Sequence, residues 1–183
     1  MNTLDTYNQD IKLVPPDVER DAPISVQWLE GDIGRETLKL MGNTDDGNKP
    51  SDLEAEKERV RQFISSTDQL NWMIQLKDKI VGSVWVDLED TDYLPAPAIH
   101  IMIGDPSARG HGVGNQACSS VIDYLKADGS YLHLFSRHLV HNKGASNLLH
   151  DLGFLELGKQ YSDTDGLEWQ NVALQLRDVL NSY

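Results

Sequence analysis

The chain has 183 residues, 39% of them hydrophobic, enough for one domain with a real core and too few for two comfortable ones. Its 29 Asp and Glu outweigh 16 Lys and Arg to leave a formal net charge of -13, which opposes nucleic-acid phosphates as a partner and favours a cationic one by steering. No basic leader precedes an apolar run and no span of about 18 apolar residues occurs, so a cytoplasmic protein with no membrane partner is expected; the single cysteine, Cys118, excludes an internal disulfide.

Ile11 to Val14 is a short apolar run stopped by Pro15 and Pro16 and reads as a first strand, and Val18 to Glu30 carries helical spacing around Ile24, Trp28 and Leu29. Turn residues fill Gly42 to Pro50. Ser51 with Glu54 then forms a capping box, and Leu53, Val60, Phe63 and Ile64 repeat at helical spacing. From Trp72 the period becomes two, through Ile74 and Leu76; the turn Lys77-Asp78-Lys79 and the run Ile80 to Val86 complete a predicted antiparallel hairpin. Ala98 to Ile103 is a further strand, leading into Gly110 to Gly114 and a helix with Ala117, Val121, Ile122 and Leu125 on one face. Tyr131 to Arg137 returns to strand, and Ala145, Leu148, Leu149 and Leu152 mark a short helix ended by Gly153. Leu155 to Tyr161 and Trp169 to Leu176 predict a closing hairpin around Asp165-Gly166. Helices between antiparallel and parallel strands give a three-layer α/β fold, one domain over residues 1–183.

The sharpest local signal is Arg109-Gly110-His111-Gly112-Val113-Gly114, which follows a strand and opens a helix. Glycines let the backbone approach closely and turn its amides inward, and the helix N-terminus adds partial positive charge, so amides from His111 to Asn115 suit a pyrophosphate. A dinucleotide fingerprint belongs after the first strand of a βαβ unit, whereas this loop lies past mid-chain behind an antiparallel hairpin. A Walker loop needs Lys and then Ser or Thr after its last glycine, and here Gly114 is followed by Asn115 and Gln116.

The loop resembles the coenzyme A loop of the GNAT superfamily of N-acetyltransferases. A second stretch supports the resemblance: Asn142-Lys143-Gly144-Ala145-Ser146-Asn147-Leu148-Leu149-His150-Asp151-Leu152-Gly153-Phe154 is similar to the GNAT pattern of Asn, a small residue three on, an apolar pair and Leu-Gly-Phe. Ile99 to Pro106 and Phe154 to Gly158 resemble the aminoglycoside 6'-N-acetyltransferases and also the ribosomal-protein N-terminal acetyltransferases. The resemblance implies a mixed central sheet with helices on both faces, and acetyl-CoA as cosubstrate. It implies a cofactor site at Arg109, Gly110, His111, Gly112, Val113, Gly114, Asn115 and Asn142, with the backbone of Met102 and Ile103 beside the pantetheine. Two positions depart from the pattern: His100 stands where the aminoglycoside enzymes usually have an aspartate, and Leu149 where many GNAT enzymes have a tyrosine acid.

A protonated alkylamine must lose a proton before it attacks, so a base or a water chain is required. His100 is the first candidate, because its strand precedes the loop and imidazole titrates near neutrality; His138, near the end of the next strand, is the second. Asp87, Glu89, Asp90 and Asp92 cluster after the central hairpin, where Asp87 and Glu89 are candidate contacts for a small cationic acceptor of aminoglycoside type. His133, His141 and His150 have no spacing that compels a metal, and none is expected; Cys118 reads as a buried thiol rather than a nucleophile. The alternatives are a protein N-terminus as acceptor, or a non-catalytic sensor of acyl-coenzyme A. The expected partners are acetyl-CoA and a small amine, with the chain a monomer or homodimer.

Overall fold

The central hairpin joins strand β3 (Gln69–Leu76) to β4 (Lys79–Asp87) through Lys77, whose φ of 54° makes the tight turn. Around it a computed structural model describing residues 2–43 and 52–177 builds one eight-stranded sheet. The remaining strands are β1 (Leu4–Asp5), β2 (Ile11–Val14), β5 (Ala98–Ile103), β6 (His133–Leu139), β7 (Leu155–Ser162) and β8 (Glu168–Gln175). Their spatial order is β1-β2-β3-β4-β5-β6-β8-β7, and only β5 and β6 run parallel. The helices are α1 (Val18–Leu29), α2 (Gly31–Leu40), α3 (Leu53–Ser65), α4 (Val113–Asp128) and α5 (Lys143–Asp151).

Strand alternation divides the core between the two faces of the sheet. Ile11, Leu13, Trp72, Ile74, Val84 and Ile99 meet Val113, Ala117, Cys118, Val121, Ile122 and Leu125 of α4 and Leu149 of α5. On the opposite face Met73, Ile80 and Met102 meet Trp28 of α1, with Trp85 packed at the margin. Each fully buried Val, Leu or Ile contributes about 1.5–3 kcal/mol, so the large α4 face dominates. Glycines in the left-handed conformation bound α4 at both ends, Gly112 at the start and Gly129 at the end, whose amide closes on the Leu125 carbonyl. No helix among the described residues is long and apolar enough to cross a membrane.

The structure differs from the sequence reading in several places, among them the two-residue strand β1, which precedes and pairs with β2. Helix α2 was not anticipated: its ten residues carry two glycines and bury only Gly34 and Thr37, so propensity is weak and packing decides. Gly34 permits that packing, since a Cβ there would overlap the Leu29 backbone of α1. The expected capping residue Ser51 lies outside the described residues; Asp52 caps α3, its side chain accepting from the Ala55 amide. Strand β6 starts at His133 rather than Tyr131 and runs to Leu139, carried by its ladder to β8.

Where β5 ends, Gly104 lies under the Trp28 indole, and a Cβ at that position would overlap the ring. Gly104→Ala is expected to push Trp28 out of its cluster and to cost about 1–3 kcal/mol. Urea unfolding measures it; a wild-type midpoint and slope would mean that Trp28 does not pack there.

Candidate functional site

The parallel strands β5 and β6 touch at one register position, Ala98 against Phe135. The Phe135 amide donates to the Pro97 carbonyl at 2.9 Å and Ser136 Oγ to the Ile99 carbonyl at 2.8 Å; the hydroxyl replaces a ladder bond just before the strands part. β5 stays paired to β4 through Ile103, and β6 to β8 through Leu139, so each keeps one full ladder while the edge between them opens. A cleft of about 590 Å³ fills the gap, lined by both strands, the glycine loop and the starts of α4 and α5. It lies at the carboxyl ends of the two parallel strands, where open α/β sheets bind ligands.

Gly110 and Gly112, both with φ of 75°, form the cleft's floor, and a Cβ on either would meet nothing within 4 Å. Gly112 offers no side chain to cap α4, so the amides of Val113, Gly114 and Asn115 have no acceptor among the described residues. Three inward donors at a helix N-terminus fit a phosphate. His111 has its side chain exposed and does not line the cleft. Arg109 turns back: Nε donates to the Ile103 carbonyl at 2.9 Å and Nη2 to Thr37 Oγ1 at 2.8 Å, tying β5 to α2. Asn142 caps α5, its Oδ1 accepting from the Ala145 amide at 3.1 Å, while its Nδ2 donates to the Leu40 carbonyl at 3.1 Å. Both of these side chains, expected to hold the cofactor, are therefore engaged within the protein and brace the rim. Met102 and Ile103 line the cleft, with the Met102 side chain buried against α1.

Because paired residues of parallel strands share a face, His100 and Arg137 stand level across the opening on the α1 face, each two residues beyond the contact. Ile101 and His138 stand level on the α4 face. The His100 ring stacks on Trp85, centroids 5.2 Å apart, and its Nε2 lies 2.9 Å from Asp87 Oδ2. That carboxylate sits off the N–H axis, leaving Nε2 without an aligned hydrogen bond. Burial works to raise the Asp87 pKa, but His100 and the Gln69 amide at 2.7 Å outweigh it and hold the carboxyl below the ordinary range. His138 Nδ1 is 3.0 Å from the Leu139 carbonyl; a carbonyl can only accept, so Nδ1 carries the proton and Nε2 is the free nitrogen. Both histidines line the cleft.

The acceptor carboxylates are placed differently from expectation. Asp87 is half-buried and engaged by His100 and Gln69, Glu89 is exposed, and neither lines the cleft. The α1 face instead carries Trp85, Arg137 and Trp169, with Thr37, Leu40 and Met41 from the end of α2. The sequence reading missed all six. Only alternation along β6 and β8 hinted at the placement of Arg137 and Trp169, and nothing local announced α2.

Residues 11–155 match the family described as Acetyltransferase (GNAT) domain. Among solved structures the chain is similar to RimL, the ribosomal L7/L12 α-N-protein acetyltransferase, in complex with coenzyme A (TM-score 0.77, 14% identity, 94% of this chain and 97% of that one). It is similar to the microcin C7 self-immunity acetyltransferase MccE in complex with acetyl-CoA and AMP (0.74, 15%, 92% and 93%). It is also similar to Mycobacterium smegmatis RimJ in complex with CoA-disulfide (0.73, 16%, 94% and 87%). No curated protein matches the chain by sequence.

Cys118 borders the cleft from within the α4 core and is almost fully buried, which pushes its thiol up to about 12. A raised thiol pKa keeps the neutral form through neutral pH. Iodoacetamide is expected to modify Cys118 only as the protein unfolds, followed by mass spectrometry along a urea series; rapid labelling of the native protein at pH 7.5 would show an accessible thiolate.

Proposed function

Since the chain belongs to the GNAT acetyltransferase family and is an acetyl-CoA-dependent N-acetyltransferase, we propose that it acetylates a primary amine of a small molecule at the opening between β5 and β6, working as one domain. The observation that carries this reading is the set of amides on Val113, Gly114 and Asn115 with no acceptor among the described residues, set beside a strand edge that has lost its partner. Those amides would hold the pyrophosphate of acetyl-CoA, and the open edge at Met102 and Ile103 would run beside the pantetheine. When bound, the thioester supplies an activated acyl carbon and a thiolate leaving group.

The two faces divide the proton work. His100 takes the proton from the ammonium on the α1 face, with Asp87 as a positioning residue behind its ring. The amine nitrogen would then bond to the acyl carbon as the carbon–sulfur bond breaks, its remaining excess proton passing to water. On the α4 face Leu149 carries no proton to give, and His138, when its ring is charged, presents Nε2–H to the thiolate. Cys118, buried and protonated, takes no part. A polycationic acceptor finds little support in the cleft, since Asp87 is spent and Glu89 faces solvent.

Thiol release from acetyl-CoA tests this reading with amino acids, polyamines, aminoglycosides and peptides with free N-termini. Amine-dependent release is expected, strongest for small molecules. Release with peptides alone would make a protein N-terminus the acceptor, and acetyl-CoA binding without release across the panel would make the chain a sensor. Gly112→Val should weaken acetyl-CoA binding at least tenfold by calorimetry, roughly the effect of losing one charge-assisted contact, because a branched side chain at φ 75° is strained and fills the phosphate's space. Unaltered affinity would place the cofactor elsewhere. His100→Ala should lower kcat by about 10²–10⁴ with acetyl-CoA affinity retained, and an undiminished kcat would remove it from the mechanism.

A further inference from the structure

Arg137 is the guanidinium on the acceptor side of the cleft, level with His100 across the opening. Its carbon lies over two aromatic rings, 4.0 Å from the Trp169 centroid and 4.7 Å from that of Tyr93. Nη1 donates to Tyr161 Oη at 3.2 Å, Tyr161 donates to Asn171 Oδ1 at 3.1 Å, and Asn171 Nδ2 donates to the Tyr93 carbonyl at 2.9 Å. The chain of bonds closes on the residue that stacks on the guanidinium, which fixes the plane of the group. Among the described residues no carboxylate lies within ion-pair distance of Arg137. The nearby Asp163 accepts from the Trp169 indole N–H at 2.7 Å and from the backbone amides of Asp165 and Leu167, and its charge acts on Arg137 through space without an ion-pair contact.

Stacking satisfies the faces of a guanidinium but leaves its in-plane N–H donors, and among the described residues Nε and Nη2 of Arg137 have no protein acceptor. A rigid in-plane fork suits an oxyanion, because two parallel N–H···O bonds require the donor plane to be held in advance. We infer that Arg137 binds an oxyanion carried by the acceptor, a carboxylate or a phosphate near the reacting amine, so that the acceptor is a zwitterion held between His100 and Arg137. This rests on the proposed acetyl transfer and adds a substrate class to it. A zwitterion also reconciles the acidic chain with a cationic residue in its cleft: the ammonium suits the net charge of -13, and the oxyanion meets the local positive group.

The experiment compares alanine and 2-aminoethyl phosphate with ethylamine as acceptors, reading kcat/KM from thiol release. Calorimetry of the same three probes on the CoA-loaded protein gives binding separately from turnover. Wild-type protein is expected to prefer one or both oxyanion-bearing amines by at least about tenfold, and Arg137→Gln to bring that ratio close to one. Arg137→Lys keeps the charge without the fork and should fall between them. Retained acetyl-CoA affinity shows that each variant is folded; a variant that loses it is replaced by the wild-type comparison of probes, which stands alone. The arm that responds identifies the carboxylate or the phosphate as the group read. Equal use of ethylamine, a preference unmoved by Arg137→Gln, or no binding of either oxyanion probe would overturn the inference while acetyl transfer stands. Failure to release thiol with any amine would instead overturn the transfer reading, and the calorimetric ratio would still judge Arg137.

Discussion

The site depends on the brevity of one strand contact. β5 and β6 meet at Ala98 and Phe135 and then separate, which would be costly if it stranded backbone donors on both sides of both strands. It does not, because β4 pairs with β5 up to Ile103 and β8 pairs with β6 up to Leu139. Only the shared edge is given up, and Ser136 supplies the last bond before the opening by donating its hydroxyl to the Ile99 carbonyl. The result is a gap that spans the sheet, with a continuous sheet on either side and strand edges facing into it.

Helices and loops turn that gap into a cleft by bracing its rim. The Arg109 side chain ties the end of β5 to Thr37 of α2, and Asn142 ties the start of α5 to the Leu40 carbonyl at the end of α2. Helix α2, weak in intrinsic preference, is thus fixed at both sides of the opening by polar contacts. Side chains that look like ligands by motif brace the rim, while the start of α4 offers backbone amides with no acceptor among the described residues. For the phosphate contact proposed above this is economical, since amides at a helix start are already oriented and lose no side-chain entropy on binding.

What the sequence discloses follows from range. The β3–β4 hairpin, the α4 face and the glycine loop are set by neighbours within a few residues, through alternation, helical spacing and left-handed glycines at positions 110 and 112. The family pattern was legible for the same reason, because both its motifs are continuous stretches. Helix α2 and strand β1 were not, since α2 needs the Gly34 approach to α1 and β1 is two residues held by β2. The acceptor face was misread where sequence proximity stood in for contact. Asp87 sits at the end of β4 opposite the start of β5, and its register brings it to His100, so its charge is used inside the wall and not offered to the cleft. Beyond its place in the β6 alternation Arg137 gave no sign, because its partners Tyr93, Tyr161 and Trp169 come from separate segments.

Net charge and local charge then act over different distances. An excess of acid enriches cations near the surface, yet exposed charges are screened within about 8 Å at physiological ionic strength. Inside the cleft the relevant scale is the hydrogen bond, and there the fixed groups on the α1 face are an imidazole backed by a carboxylate and a guanidinium set over two aromatic rings. An overall charge of -13 thus favours the approach of cations in general, while hydrogen bonding in the cleft acts only at contact. Acceptor choice belongs to the second scale, because discrimination between similar amines rests on donors and acceptors left unsatisfied when the wrong one binds.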